Sequence, residues 1–445
     1  MTQYPFMLIN RLAGQRALTR SLIPLAVGLL CLNFARSQEL SIKPDNGLGV
    51  YQPGQAIHWD IQVKNGEASE AAFTVKKGGM TELSKGKVLF TNGQAQIEAK
   101  LDEPGWLLAE VTLKGANDKR IKGLGGALVS PEKLQPAAAR PADFDAFWQA
   151  KLDDLAAVPA NPKLDPAESS KPTVDYFKIT LDNIHSTHIQ GQIARPRAGE
   201  KLPAMLIVQW AGVYPLQKSW VTDRAAEGWL VLNINAHDLP IDQPEQFYND
   251  QSAGLLKDYP AIGNDDRETS YFLRMYLSCY RAAQYLAERP DWDGRTLVVT
   301  GGSQGGLQSI VTAALHPKIT AVMACVPAGC DLNGPEAGRL PGWPMWYWAA
   351  KGKDEAKVRS ADRYYDVVNF ASRVKCPVLV GVGLIDTVCP SPGVFAACNQ
   401  FQALKEVVVM PVSEHGEKNG SQAPYHRRFN AWNQALLKGQ PAPVK

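Results

Sequence analysis

Residues 297–306 read Leu297-Val298-Val299-Thr300-Gly301-Gly302-Ser303-Gln304-Gly305-Gly306, and this stretch decides the fold. An apolar, β-branched run stops at paired glycines, a serine follows, and Leu307 to Leu315 continues in helix-compatible residues. A strand, a tight turn and a helix in that order bend so sharply that a Cβ two residues either side of the serine would not fit. Gly301 and Gly305 carry none. Such a turn lifts the hydroxyl above a sheet, beside the positive end of a helix dipole. A phosphate-cradling loop would instead need G-x-x-x-x-G-K-[ST] or G-x-G-x-x-G, and neither stands here. The expectation is a nucleophile, with a chemically silent turn as its rival.

Working outward, near-continuous apolar runs alternate with helical segments. The strands expected are Ala204–Gln209, Leu230–Ile234, Leu297–Thr300, Ala321–Val326, Val378–Val382 and Val407–Val412, with a long helix over Thr269–Glu288. Strands apolar on both faces and separated by helices imply a mainly parallel sheet with helices on either side. Ligands on such sheets sit at the carboxyl ends of the strands, where Ser303 falls. Earlier, Asp143 to Ala157 places Phe144, Phe147, Trp148, Leu152 and Leu155 at helical spacing.

A serine needs a base for its proton and an acid to orient that base, in chain order nucleophile, acid, histidine. His316 ends the helix that Ser303 begins, a full helix away from it. His426 lies on the expected final helix. His415 follows the last core strand, so it is the expected base. Asp386 follows Val378–Ile385, on the loop before the histidine's strand, and is the expected acid. Asp331 is second, while Asp362 and Asp366 read as a solvated helix. Backbone N–H groups of Gln304 and Val213 are the expected oxyanion donors, with Gly212 next. The aromatic run Pro341–Trp348 offers Trp343 and Trp346 as sugar-stacking candidates, against a packed lid. Tyr214 and His237 are further substrate-contact candidates.

The remainder of the chain looks different. From Leu40 to Leu128, short alternating runs are punctuated by Asn65-Gly66, Gly78-Gly79, Asn92-Gly93 and Pro104-Gly105. This reads as an all-β sandwich of immunoglobulin-like type over 38–129. A Pro- and Ala-rich linker follows over 130–141, then an α/β catalytic domain over 142–445. Residues 1–37 read as an export signal: arginines precede an apolar run from Leu22 to Leu32, and Ala35-Arg36-Ser37 offers a cleavage site. That run is too short to anchor the chain across a bilayer, and Leu30 disfavours lipidation at Cys31. The formal charge is +3, and Arg11, Arg16, Arg20 and Arg36 exceed it, which leaves −1 on residues 38–445. Nucleic-acid and charged-membrane partners are therefore disfavoured. Six cysteines remain after Ser37, mostly among apolar residues, and are expected as buried thiols. No Cys/His spacing suggests a metal site.

These segments resemble the acetyl xylan esterase/cephalosporin C deacetylase family of carbohydrate esterases. The carriers are Arg140–Trp148, Val299–Gly306, Gly383–Pro390 and Glu414-His415-Gly416. The resemblance implies an α/β-hydrolase with a Ser303, Asp386, His415 triad that removes acetyl groups from sugars without a cofactor. It also allows a homo-oligomer, which the extra N-terminal domain would obstruct. Two departures stand out. Val213 sits where the family usually has a tyrosine, and Asn235-Ala236-His237-Asp238-Leu239-Pro240 replaces an Asp-x-Arg-Gly-x-Gly turn. Export implies a secreted or periplasmic enzyme. The alternatives are a serine peptidase or other acyl hydrolase on this fold, and a non-catalytic carbohydrate-binding protein.

Overall fold

The computed structural model describes residues 38–115 and 120–445, so the expected export signal lies outside the described residues. The first eight strands are β1 (Glu39–Pro44), β2 (Val50–Tyr51), β3 (Ala56–Lys64), β4 (Glu70–Lys77), β5 (Thr81–Leu89), β6 (Gln94–Lys100), β7 (Gly105–Lys114) and β8 (Arg120–Val129). They form a three-stranded sheet, β1-β3-β6, and a five-stranded sheet, β2-β8-β7-β4-β5. β3 shows why they pack: Ile57, Trp59, Ile61 and Val63 point inward while Asp60, Gln62 and Lys64 face solvent. Those inward residues meet Leu107, Ala109, Val111 and Leu113 of β7 in the sandwich core.

β7 departs from that alternation. Its opposite face carries Trp106 and Leu108, which with Leu128 of β8 join the core of the α/β body instead. The five-stranded sheet is therefore covered on both sides where β7 and β8 run. The Pro- and Ala-rich stretch expected as a linker is strapped down: the Asn399 amide donates to the carbonyls of Pro131 and Leu134 at 2.8 and 2.9 Å. The Ala137 N–H donates to Asp331 at 2.7 Å.

The body continues through α1 (Phe144–Ala156), β9 (Lys163–Ala167), β10 (Val174–Asp182), β11 (His188–Pro196), β12 (Leu202–Ile207), α2 (Ser219–Glu227), β13 (Leu230–Ile234) and α3 (Glu245–Ala253). Then come α4 (Tyr271–Glu288), β14 (Trp292–Gly302), α5 (Gln304–Leu315), β15 (Ala321–Cys325), α6 (Glu355–Asp362), α7 (Val367–Ala371), β16 (Val378–Gly383), α8 (Ser391–Cys398), β17 (Lys405–Met410) and α9 (Ala423–Leu437). One nine-stranded sheet runs β17-β16-β15-β14-β12-β13-β11-β10-β9. The six strands from β17 to β13 are parallel. The three beyond them are antiparallel.

Alternate residues of each core strand feed opposite faces. Leu297 and Val299 pack with α1, α4, α5, α7 and α8, and Val298 packs with α2 and α9. Within the sheet β12 sits between β13 and β14, so the chain leaves β12 toward one side and returns to β14 on the other. The helices that follow β12 and β14, α2 and α5, lie on opposite faces of the sheet, and ligands on such sheets bind at the carboxyl ends beside this switch point. Among the described residues all six cysteines are buried and unpaired, and no helix is long and apolar enough to cross a membrane.

Candidate active site

Ser303 stands between β14 and α5 with φ 56° and ψ −121°, a region that an L-residue enters only under constraint. The constraint is visible. Its N–H donates to Cys325 at 2.9 Å, and its carbonyl accepts from Ala328 at 3.0 Å and Leu307 at 3.1 Å. A Cβ on Gly301 would stand 2.6 Å from the Gly305 carbonyl carbon, and one on Gly305 would stand 2.5 Å from the Val208 carbonyl oxygen. The elbow closes only because both positions lack that atom.

His415, on the loop after β17, faces the serine: its Nε2 is 2.9 Å from Ser303 Oγ. Its Nδ1 is 2.9 Å from Oδ2 of Asp386, on the loop after β16. A carboxylate only accepts, so Nδ1 carries the proton and Nε2 is left free to take one from the hydroxyl. Asp386 is 0% exposed, and its Oδ1 accepts from the backbone N–H groups of Val388 and Cys389, both at 2.8 Å. Three donors thus hold one carboxylate in place.

The other candidates lie elsewhere. His426 is exposed on α9, its Nε2 3.6 Å from Glu417. Asp331 is tied to Arg339 and the Ala137 N–H. Asp362 and Asp366, expected on a solvated helix, are buried instead. The Asp366 carboxylate caps α7 through Val368 N and also accepts from Asp331 and Leu332 N–H groups. Burial pushes both carboxyl groups up, Asp366 to about 7.

His316 is buried at the end of α5, with Nε2 2.9 Å from the Gln284 amide oxygen, and burial lowers its pKa to about 4. The folded state keeps it neutral while the unfolded chain protonates it below about 6.5. Its contribution is therefore present above that pH and is lost as pH falls toward 4. Over that window His316→Gln should reduce the pH slope of unfolding free energy by about 1.4 kcal/mol per pH unit. Denaturant titrations between pH 4.5 and 7 check this, and an unchanged slope refutes it.

The expected oxyanion donors sit at the start of α5 and on the loop after β12. Gln304 heads α5, so its N–H has no intrahelical acceptor. The Gly212 N–H faces the Tyr259 hydroxyl at 3.4 Å. The side chains around the loop hold it in place. Gln308 donates to the Gln209 carbonyl at 2.9 Å. Tyr259 donates to the Gln304 amide oxygen at 2.5 Å.

His237 belongs to this support. It is 2% exposed, with Nε2 3.0 Å from the Gly212 carbonyl and Nδ1 2.6 Å from the Tyr271 hydroxyl. The carbonyl only accepts, so Nε2 donates and Nδ1 accepts from Tyr271, whose oxygen in turn accepts from Arg274. Burial lowers its pKa to about 4 and so preserves that neutral tautomer. With both ring nitrogens engaged, His237 orients the loop and is not a substrate contact.

A second expected contact is corrected. Trp346 is 1% exposed, packs against Phe272 and Tyr365, and donates to the Pro260 carbonyl, so it is core. The Tyr214 hydroxyl turns back to Gln209 and to the Trp210 carbonyl. Trp343 remains half-buried, its ring stacked on Phe272 and its main-chain N–H on the Val388 carbonyl, two residues after Asp386. Sequence reading missed Trp210. It is 43% exposed, with one face stacked on Tyr214 at 5.0 Å and an edge contact from Trp220. A tryptophan directly after a core strand was the available signal.

Donor atoms of Asp386, Cys389 and His415 lie within 4.8 Å of one another, a spacing compatible with a metal. Their chemistry fits one poorly. Burial pushes the Cys389 thiol well up, and Asp386 already serves three N–H donors. The arrangement suits proton transfer from Ser303 to His415, with Asp386 holding the ring.

Comparison with known proteins gives consistent relatives. A family model described as Acetyl xylan esterase (AXE1) matches residues 127–433. The chain is 36% identical over 355 residues to acetyl esterase Axe7A of Xylanibacter ruminicola, across 78% of this chain and 79% of that protein. Two solved structures align with it. Acetyl xylan esterase 1 from Thermoanaerobacterium sp. JW/SL YS485 gives a TM-score of 0.59 at 22% identity, covering 69% of this chain and 97% of that one. An acetyl xylan esterase from Paenibacillus sp. R4 gives 0.58 at 21%, covering 68% and 98%. At those identities the structures establish a shared α/β-hydrolase-like fold and no more.

Proposed function

Because the chain belongs to the acetyl xylan esterase family, and so to the carboxylic ester hydrolases, we propose that it deacetylates carbohydrate, xylan or xylo-oligosaccharide acetates, through a Ser303–His415–Asp386 triad. The observation that carries this reading is His415 bridging Ser303 and Asp386 at 2.9 Å on each side.

In the first half-reaction Ser303 Oγ attacks the acetyl carbonyl carbon while its proton passes to His415 Nε2. The carbonyl electrons move to oxygen, where the Gln304 and Val213 N–H groups receive the charge; one such donor contributes about 3–4 kcal/mol. Collapse expels the sugar oxygen, which takes the proton from His415, and leaves acetyl-Ser303. Water repeats the sequence in the second half-reaction: His415 takes its proton, the new intermediate collapses, and acetate and the free hydroxyl return. Asp386 holds the imidazole and stabilises its cation throughout.

The arginine-rich, apolar segment before Gln38 supports export to the periplasm or medium. Two packed sheets of three and five strands support an immunoglobulin-like reading of the N-terminal domain. The exposed face of Trp210, one residue beyond the strap on Gln209, is assigned to stack on a sugar ring.

Acetate release from acetylated xylo-oligosaccharides, set beside 4-nitrophenyl acetate hydrolysis, tests the function. Activity on the nitrophenyl ester alone would reject the acetyl-sugar assignment. Trp210→Ala should raise KM for the sugar ester about tenfold, the equivalent of about 1.4 kcal/mol of stacking, and leave the nitrophenyl ester unaffected. An equal effect on both substrates would place Trp210 outside the sugar site.

A further inference from the structure

We infer that the N-terminal β domain is an intramolecular clamp on the loop that carries Asp386, with Trp106 as its positioning residue; this rests on the triad reading above. Leu384 lies two residues before Asp386 and is 0% exposed. Its N–H donates to the Met410 carbonyl at the end of β17, at 3.1 Å. Its carbonyl accepts from the indole N–H of Trp106 at 2.9 Å, across 278 residues of sequence, and Trp106 is itself 1% exposed. Leu384 is thus pinned through the peptide groups on both its sides, one from the sheet and the other from β7.

The neighbouring contacts are equally close. A Cβ on Gly126 of β8 would stand 2.1 Å from the Leu384 carbonyl oxygen, so the strand lies directly on this peptide. Ile385 N–H then donates to the Ser413 carbonyl at 3.3 Å, two residues before His415. A shift of Leu384 therefore moves acid and base together. The domain reaches a second site loop too, since Leu340 N–H donates to the Gly78 carbonyl at 2.9 Å, in the segment that leads to Trp343. Trp106 touches neither substrate nor reacting atoms. Its influence runs through the orientation of Asp386, and a misplacement of that order costs large factors in rate.

The test uses the full chain. Trp106→Phe keeps an aromatic ring and removes the N–H; replacing Trp106 by β-(3-benzothienyl)alanine exchanges that N–H for sulfur in a nearly isosteric side chain. Either should lower kcat on 4-nitrophenyl acetate about tenfold with KM unchanged, and should weaken the downfield proton signal of the His415–Asp386 hydrogen bond. In an Asp386→Asn background the same replacements should have no further effect on kcat, since their route is already cut. Full activity in folded protein carrying either replacement, or an equal loss in both backgrounds, overturns the clamp. If Asp386→Asn alone remains fully active, the triad reading fails instead.

Discussion

Ser303→Ala is expected to lower kcat on any ester substrate by on the order of 10⁴- to 10⁶-fold, since no other group can form the acyl-enzyme. The variant should keep its melting temperature. The bonds that hold residue 303 in its strained conformation are all main-chain: its N–H on Cys325, and its carbonyl under Ala328 and Leu307. Alanine keeps that backbone and the same Cβ. A purified Ser303→Ala protein with wild-type melting and no acetate release would identify the nucleophile. Residual activity within tenfold of wild type would refute the assignment. Loss of folding would mean that the hydroxyl is structural, contrary to its position facing His415 Nε2.

Asp386→Asn is expected to cost about 10⁴-fold in kcat, and the hydrogen bonds say why. One carboxylate oxygen accepts two backbone N–H groups, from Val388 and Cys389, and the other accepts His415 Nδ1–H. An amide has only one accepting end. If its NH₂ faces the backbone donors, two backbone N–H groups lose their acceptor. If its NH₂ faces His415, the ring must present a bare Nδ1, which moves the proton to Nε2 and blocks the approach to Ser303. Either outcome disables the base. Measuring kcat against pH checks the account: activity should stay low across the neutral range, and a loss of less than tenfold would contradict it.

Much of this geometry was legible in the sequence because local pattern carries it. The elbow was readable from two glycines that have no alternative at their positions. The loops of Asp386 and His415 were readable because each follows an apolar run that can only be a core strand. Other parts had no local signature. β9 to β11 form an antiparallel flank in which residues such as Asp175, Lys178 and Thr180 stay at least partly exposed, so they lack the continuous apolar signal of β14 or β16. Trp346 and Trp343 are three residues apart in one aromatic run, yet only the fold makes one a core residue and leaves the other half-buried. Asp362 and Asp366 look solvated by composition, and only the fold reveals the N–H groups that draw Asp366 inside. The contact of Trp106 with Leu384 spans the chain. Its one local trace is Gly123-Leu124-Gly125-Gly126 inside β8, since glycines in a strand mark another backbone lying close.

If the chain is exported as proposed, the six unpaired thiols of the described residues carry a consequence for how it survives an oxidising compartment. Each is buried, and burial raises the pKa of Cys279, Cys325, Cys330, Cys376, Cys389 and Cys398, so none offers a reactive thiolate once the fold has closed. Before closure nothing shields them, and these six alone allow fifteen complete pairings. Correct folding is then a race between burial and oxidation. The finished protein is indifferent to its redox surroundings, and the vulnerable species is the newborn chain.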